Sequence, residues 1–158
     1  LIGLLFLVFT LGIFGETIRG LCISVADGDT ITIMADENGG RENKKMKIRL
    51  YAIDSPEGKQ EFGLEAKKFV EKMVLNKRVE IDYKDTDQYG RIVGILNYEQ
   101  YSINEELLKN GLAWHYKQYS KKDYYNRYND LELKARKKKI NIWSNKNSVA
   151  PWEFRKKK

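Results

Sequence analysis

A β-rich α+β fold, a five-stranded barrel followed by two helices, is what this sequence predicts, and three observations predict it. Apolar and polar residues alternate with period two in five separate stretches, the mark of half-buried strands. The period becomes helical once, between the third and fourth of these stretches. Two further helical stretches come only after the fifth, which places those helices beyond the barrel.

The first strand is read in "TIRGLCISV" (17–25) and the second in "DTITIMA" (29–35), with Asp27 and Gly28 supplying the turn between them. "DENGG" (36–40) is a hairpin signal leading to a third strand, "KMKIRLYAI" (45–53). Pro56 ends that run, because proline has no N–H to give to a ladder. In "EFGLEAKKFVEKMVLN" (61–76), Phe62, Ala66, Phe69, Val70 and Met73 fall on one helical face, which predicts a helix held against something apolar. Period two returns in "RVEIDYK" (78–84) and "RIVGILNY" (91–98), around the polar "DTDQYG". Three strands, a helix and two strands is the order of an OB-type barrel, whose helix plugs the barrel between strands three and four.

Beyond the barrel, "SINEELLKNG" (102–111) carries Ser102 and Glu105 at capping-box spacing, with Gly111 as the stop. "SKKDYYNRYNDLELKARKKK" (120–139) repeats the arrangement with Ser120 and Asp123, and aligns Tyr124, Tyr128, Leu131 and Ala135 on one face for packing. "INIWS" (140–144) supplies an apolar plug. In the tail, Trp152 and Phe154 are expected to dock on the body and "RKKK" to fray.

A length of 158 residues suits one compact domain, and a net charge of +7 favours a polyanionic partner, nucleic acid first and anionic membrane second. The single Cys22 cannot form a disulfide within the chain or a multi-cysteine zinc site, and the single His115 cannot support a multi-histidine metal site or a two-histidine acid/base pair. Chemistry must therefore come from carboxylates and cationic side chains. The apolar run "LIGLLFLVFTLGIFG" is shorter than the roughly 20 residues of a membrane-spanning helix and reads as a signal-peptide core, or else as an uncleaved anchor associating with a membrane. The expected layout is a leader or anchor at 1–15, a domain at 16–144 and a basic extension at 145–158, in a secreted or cell-envelope monomer.

Charge gathers at three places where the strand reading predicts turns or strand ends. The first is "DGDT" with Asp29, the second "IRLYAIDSPE" with Arg49, Asp54 and Glu57, and the third "YGR" with Arg91. Period two would point Arg49 and Asp54 to opposite faces unless the chain bends, and Pro56 offers a reason to bend. If the three places converge, two carboxylates with a backbone carbonyl suit a hard divalent cation, calcium especially. Two guanidiniums match phosphate oxygens, and a further carboxylate can orient or deprotonate water. Those are the parts for phosphodiester hydrolysis. The competing reading is a set of ordinary surface ion pairs, which stabilise by less than about 1 kcal/mol each and give folding no reason to gather five charges.

"DGDT", "IRLYAIDSPE", "YGR" and the late "NIWS", in this order and spacing, resemble the staphylococcal nuclease (thermonuclease) family from about Ile18 to Ser144. The resemblance implies an OB-fold, calcium-dependent nuclease that hydrolyses DNA and RNA at the bond to the 5′ oxygen and leaves 3′-phosphate ends. It implies that Asp29 and Asp54 are calcium carboxylates, that Ser55 gives a backbone carbonyl to the metal and that Glu57 is the general base or water-orienting group. Arg49 and Arg91 become the phosphate-binding pair, and Tyr89 a neighbour of the terminal phosphate of bound nucleotide. Four departures stand out: Ser55 replaces a threonine, Gln88 replaces a phosphate-touching lysine, the loop "GKQEFG" is short, and "PWEFRKKK" extends past the shorter members.

Three other readings compete. Glu57, Gly58 and Lys59 form an E-x-K triplet downstream of Asp29, as in restriction-type magnesium nucleases, although Pro56 and Gly58 disfavour the strand such a triplet needs. A non-catalytic OB-fold binding module would explain the charge but not the full set of site residues. A surface-anchored interaction protein would explain the leader and the basic tail only.

Overall fold

The structure, a computed structural model, describes residues 16–36 and 44–157. The expected leader and most of the "DENGG" hairpin lie outside the described residues. Among these residues, no helix is long and apolar enough to cross a membrane.

Five strands close the barrel: β1 (Thr17–Asp27), β2 (Thr30–Ala35), β3 (Lys44–Leu50), β5 (Arg78–Thr86) and β6 (Ile92–Tyr98), with the two-residue β4 (Ile53–Asp54) between β3 and β5. The sheet runs β3-β2-β1-β5-β6 with antiparallel neighbours, and a parallel pairing of β3 with β6, Ile48 opposite Ile92, closes the ring. Alternation holds along the strands: Ile31 and Ile33 in β2, Ile48 and Leu50 in β3 and Val79 and Ile81 in β5 are all buried. Helix α1 (Gly63–Val74) turns Ala66, Val70 and Val74 into this core, each about one turn after the last. Each buried aliphatic side chain of this size contributes about 1.5–3 kcal/mol relative to exposure.

After the barrel come β7 (Tyr101–Ser102), α2 (Ile103–Lys109), β8 (Trp114–His115), α3 (Lys122–Lys138) and α4 (Pro151–Lys156). Tyr128 and Ala135 of α3 are buried and Tyr124 and Leu131 pack beside them, as the spacing predicts. Ile142 is buried and Trp143 packs edge-on to Trp114, so "INIWS" does plug this end.

Several expectations are corrected. The third strand stops at Leu50, ahead of Pro56, because the chain turns at Tyr51–Ala52 with Ala52 left-handed at φ 54. Phe62 is the residue before α1, also left-handed, and not part of its face. Neither capping box forms: Glu105 turns to Arg127 of α3, and the N–H of Lys121, the residue preceding α3, donates to the Tyr51 hydroxyl. A third helix beyond the barrel, α4, includes Arg155 and Lys156, the first half of the "RKKK" that was expected to fray.

Candidate active site

The β1–β2 turn places Asp29. Asp27 accepts the Asp29 N–H at 3.0 Å, and Gly28 lets the turn lie against its neighbours, since a Cβ there would stand 2.7 Å from the Ser55 Oγ. The antiparallel register sets Thr30 opposite Arg49, so Arg49 emerges beside Asp29. Arg49 then spans two carboxylates, with Nη1 3.0 Å from Asp29 Oδ1 and Nη2 3.0 Å from Asp54 Oδ1.

The bend at Tyr51–Ala52 is what brings Asp54 round to the same side as Arg49. Hydrogen bonds hold it, among them that of the Tyr51 N–H to the Gly94 carbonyl. Asn104, fully buried, donates to the Tyr51 carbonyl and accepts the Leu96 N–H, while the Tyr116 N–H donates to the Ala52 carbonyl. A left-handed alanine costs about 1 kcal/mol or more, and these bonds fix it in place. The Ser55 N–H donates to Asp29 Oδ2 at 2.6 Å, which draws the backbone after Asp54 against the first turn.

Burial pushes the Asp29 carboxyl up to about 7, and the neighbouring charges of Asp27 and Asp54 push the same way, against Arg49 and the Ser55 N–H. Crowded, desolvated carboxylates of this kind are relieved by a cation. The donors fit a hard divalent one: two carboxylates spanned by a single guanidinium, backbone beside them, and a buried Ser55 Oγ with no hydrogen-bond partner. Among the described residues no three His, Cys, Asp or Glu side chains form a metal cage, so the remaining ligands would be backbone oxygen and water.

Arg91 immediately precedes strand β6, whose parallel pairing sets Val93 beside Arg49. Asp87 organises the turn ahead of it, accepting the N–H groups of Tyr89 and Arg91 and, at 2.7 Å, Arg91 Nε. Burial alone would raise the Asp87 carboxyl, yet these bonds from Arg91 and Tyr89 hold it below the usual range. The ion pair engages Nε, so both Nη groups of Arg91 remain available to a phosphate. Tyr89 is 76% exposed on the rim, its ring 5.6 Å from the Arg91 guanidinium.

Asp29, Arg49, Asp54, Ser55, Glu57, Tyr89 and Arg91 all line one pocket. Asp29, Arg49, Asp54 and Ser55 are bonded to one another, whereas Arg91 and Tyr89 form an opposing side with Asp87. Glu57 lies in neither group. It sits on the irregular loop between β4 and α1, where Gly63 passes so close that a Cβ would fall 2.0 Å from the Glu57 carbonyl oxygen. Gly58 and Lys59 form a turn, so the E-x-K triplet lacks its strand and the restriction-type reading falls.

Sequence reasoning missed Arg155. Its Nη2 lies 2.8 Å from Asp54 Oδ2 and its Nη1 2.8 Å from Glu57 Oε1, from a helix held by Trp152 stacked on Tyr116 at 5.1 Å. The hydrogen bond to Asp54 raises the Arg155 guanidinium above the ordinary arginine value, against its burial. The only trace in the sequence is an arginine at the head of a lysine run, on the fourth residue after "PWEF" begins.

Comparison with known proteins identifies the family. Residues 47–145 match the family model described as "Staphylococcal nuclease homologue", a stretch that holds Arg49, Asp54, Glu57 and Arg91 but neither Asp29 nor Arg155. An "Uncharacterized endonuclease" of Haemophilus influenzae is 35% identical over 133 residues, 84% of this chain and 70% of that protein. "Micrococcal nuclease" of Shigella flexneri is 30% identical over 146 residues, 87% of this chain and 80% of that one. "Staphylococcal-like nuclease CAN1" of Arabidopsis thaliana is 41% identical over 115 residues, 73% of this chain but 35% of the plant protein. The chain belongs to the staphylococcal nuclease family and is a nuclease, a hydrolase of phosphodiester bonds in nucleic acid.

Proposed function

We propose that this nuclease depends on calcium, acts on DNA and RNA, and hydrolyses the bond to the 5′ oxygen to leave 3′-phosphate ends. The observation that carries the reading is Arg49 tying Asp29 to Asp54 in the pocket that also holds Glu57 and Arg91. Asp29, Asp54 and the Ser55 carbonyl would hold the cation, which when bound supplies positive charge beside the phosphate.

The chain's own residues do the rest. Glu57 orients a water and accepts its proton as the oxygen attacks phosphorus. The five-coordinate phosphorus carries an extra negative charge on its equatorial oxygens; the Arg91 fork meets that charge with paired N–H donors, and Arg49, held on Asp29 and Asp54, adds its positive charge beside it. Arg49 is fixed by two carboxylates and Arg91 by Asp87, so neither needs to reorganise as charge develops. Tyr89, exposed beside Arg91, flanks the nucleotide at the rim. The positive surface draws in the polyanion, so affinity falls as salt rises.

Incubation with single-stranded DNA and RNA in calcium, magnesium or chelator, followed by chemistry of the product ends, tests the proposal. Calcium-dependent products with 3′-phosphates are expected, and Glu57→Gln is expected to lose most turnover while still binding nucleotide. Cleavage in chelator, or 3′-hydroxyl ends, would overturn it. Binding without cleavage would leave a nucleic-acid-binding module.

A further inference from the structure

Glu57 is set on a loop, yet a water-orienting carboxylate has to be held within a fraction of an ångström of its working position. The holding bonds come from the end of the chain. The Glu57 N–H donates to Gln60 Oε1 at 3.1 Å, and Gln60 Nε2 in turn donates to the Val149 carbonyl, so the Gln60 amide relays the loop backbone to residue 149. Asn145 Nδ2 donates to Glu61 Oε2 at 2.9 Å. Arg155 completes the set by donating to the Glu57 carboxylate itself. Loop 57–61 is thus bonded to residues 145, 149 and 155, through backbone and side chain both.

Arg155 does more than cover the loop. One guanidinium donates to Glu57 Oε1 and to both oxygens of Asp54, and the Asp54 side chain is only 2% exposed and already fixed by Arg49. The Glu57 carboxylate, 32% exposed, is therefore referenced to a rigid group of the barrel by a planar fork, with Oε2 left for water. The segment that carries the fork is itself anchored, by buried Pro151 at the first turn of α4 and by Trp152 on Tyr116 with ring planes 3° apart.

We propose that residues 145–155 are the positioning element for Glu57, and that Arg155 is the side chain through which it acts on turnover. The proposal rests on the reading of Glu57 as the water-handling carboxylate, and the test separates the two.

Steady-state kinetics on single-stranded DNA in calcium are measured for the full chain and for Arg155→Ala, Arg155→Lys and Glu57→Gln, with thermal melting and nucleotide binding as checks on the fold. Arg155→Ala is expected to lower kcat about 10- to 100-fold with KM within about twofold, because misplacing one catalytic group costs turnover and not substrate binding. Arg155→Lys should recover part of the loss, since an ammonium reaches one carboxylate at a time, and millimolar guanidinium should restore part of the Arg155→Ala rate. A rise in KM with kcat kept would make Arg155 a direct phosphate ligand and overturn the proposal. A gain in activity would make α4 a gate, and no change would make the contact an idle surface pair; either also overturns it. Should Glu57→Gln retain full turnover, the role given to Glu57 fails whatever Arg155 does.

Discussion

Two arginines grip Asp54 and reach it from opposite directions along the chain. Arg49 stands five residues away, inside a strand that is paired on both sides, and its side chain is 15% exposed. Arg155 stands 101 residues away on a short helix, and its side chain is 40% exposed. The floor of the pocket is thus fixed by ladder hydrogen bonds that cannot yield without opening the barrel, whereas its wall is held by side-chain contacts that can be removed one at a time. Arg49 and the two aspartates sit on the rigid part of the pocket and Glu57 on the adjustable part.

The largest effect expected from this contrast is at the floor. Arg49→Lys keeps the charge but cannot span Asp29 and Asp54, and the loss in kcat should be about 100- to 1,000-fold, well beyond that of Arg155→Lys. Equal losses for the two lysine variants would erase the distinction between floor and wall. Next comes the bend that delivers Asp54. Asn104→Ala leaves the Leu96 N–H and the Tyr51 carbonyl without partners in a buried site and should cost about 3 kcal/mol in urea unfolding. A cost under about 0.5 kcal/mol would mean that the bend holds itself.

The smallest effect concerns β8, which pairs with β4 directly beneath the floor. Burial, with the nearby Lys117 charge adding to it, pushes His115 down to about 4 from 6.5, and neither ring nitrogen has a hydrogen-bond partner. Because the folded value lies below the unfolded one, the stability is complete above about pH 6.5 and is lost as pH falls toward 4, where the unfolded chain binds the proton that the buried ring refuses. The wild type should lose about 1.5 kcal/mol more than His115→Phe between pH 6.5 and 5, measured by denaturant unfolding at each pH. Parallel profiles for the two proteins would show that the ring is solvated.

The barrel and the floor were legible because both rest on local pattern. Period two marked the five strands, and "DGDT" and "IRLYAIDSPE" each hold their site residues within a few positions of a turn. A bend was expected from Pro56, but its place at Tyr51–Ala52 was not legible, since Ala52 carries no sign of a left-handed backbone and the side chain that supports it, Asn104, belongs to α2. The capping boxes misled for the same reason: Glu105 had a partner in Arg127 that spacing along one helix does not reveal. Arg155 was hidden most completely, because a cation among lysines reads as solvated surface until the fold brings two buried or half-buried carboxylates to it.

The parallel seam between β3 and β6 also bears on when the pocket is completed. Every other joint of the barrel is antiparallel, and β1 with β2, β2 with β3 and β5 with β6 are sequence neighbours that can pair early. The seam joins Ile48 to Ile92 across the whole of α1 and β5, the β1–β5 joint pairs Thr17 with Asp82 across a still longer stretch, and pairings of such long range form late. Arg49 and Arg91 lie on either side of it. A chain whose hairpins have formed but whose β1–β5 and β3–β6 pairings are open keeps Arg49 and Arg91 apart, so the pocket that both line is completed only when the barrel closes.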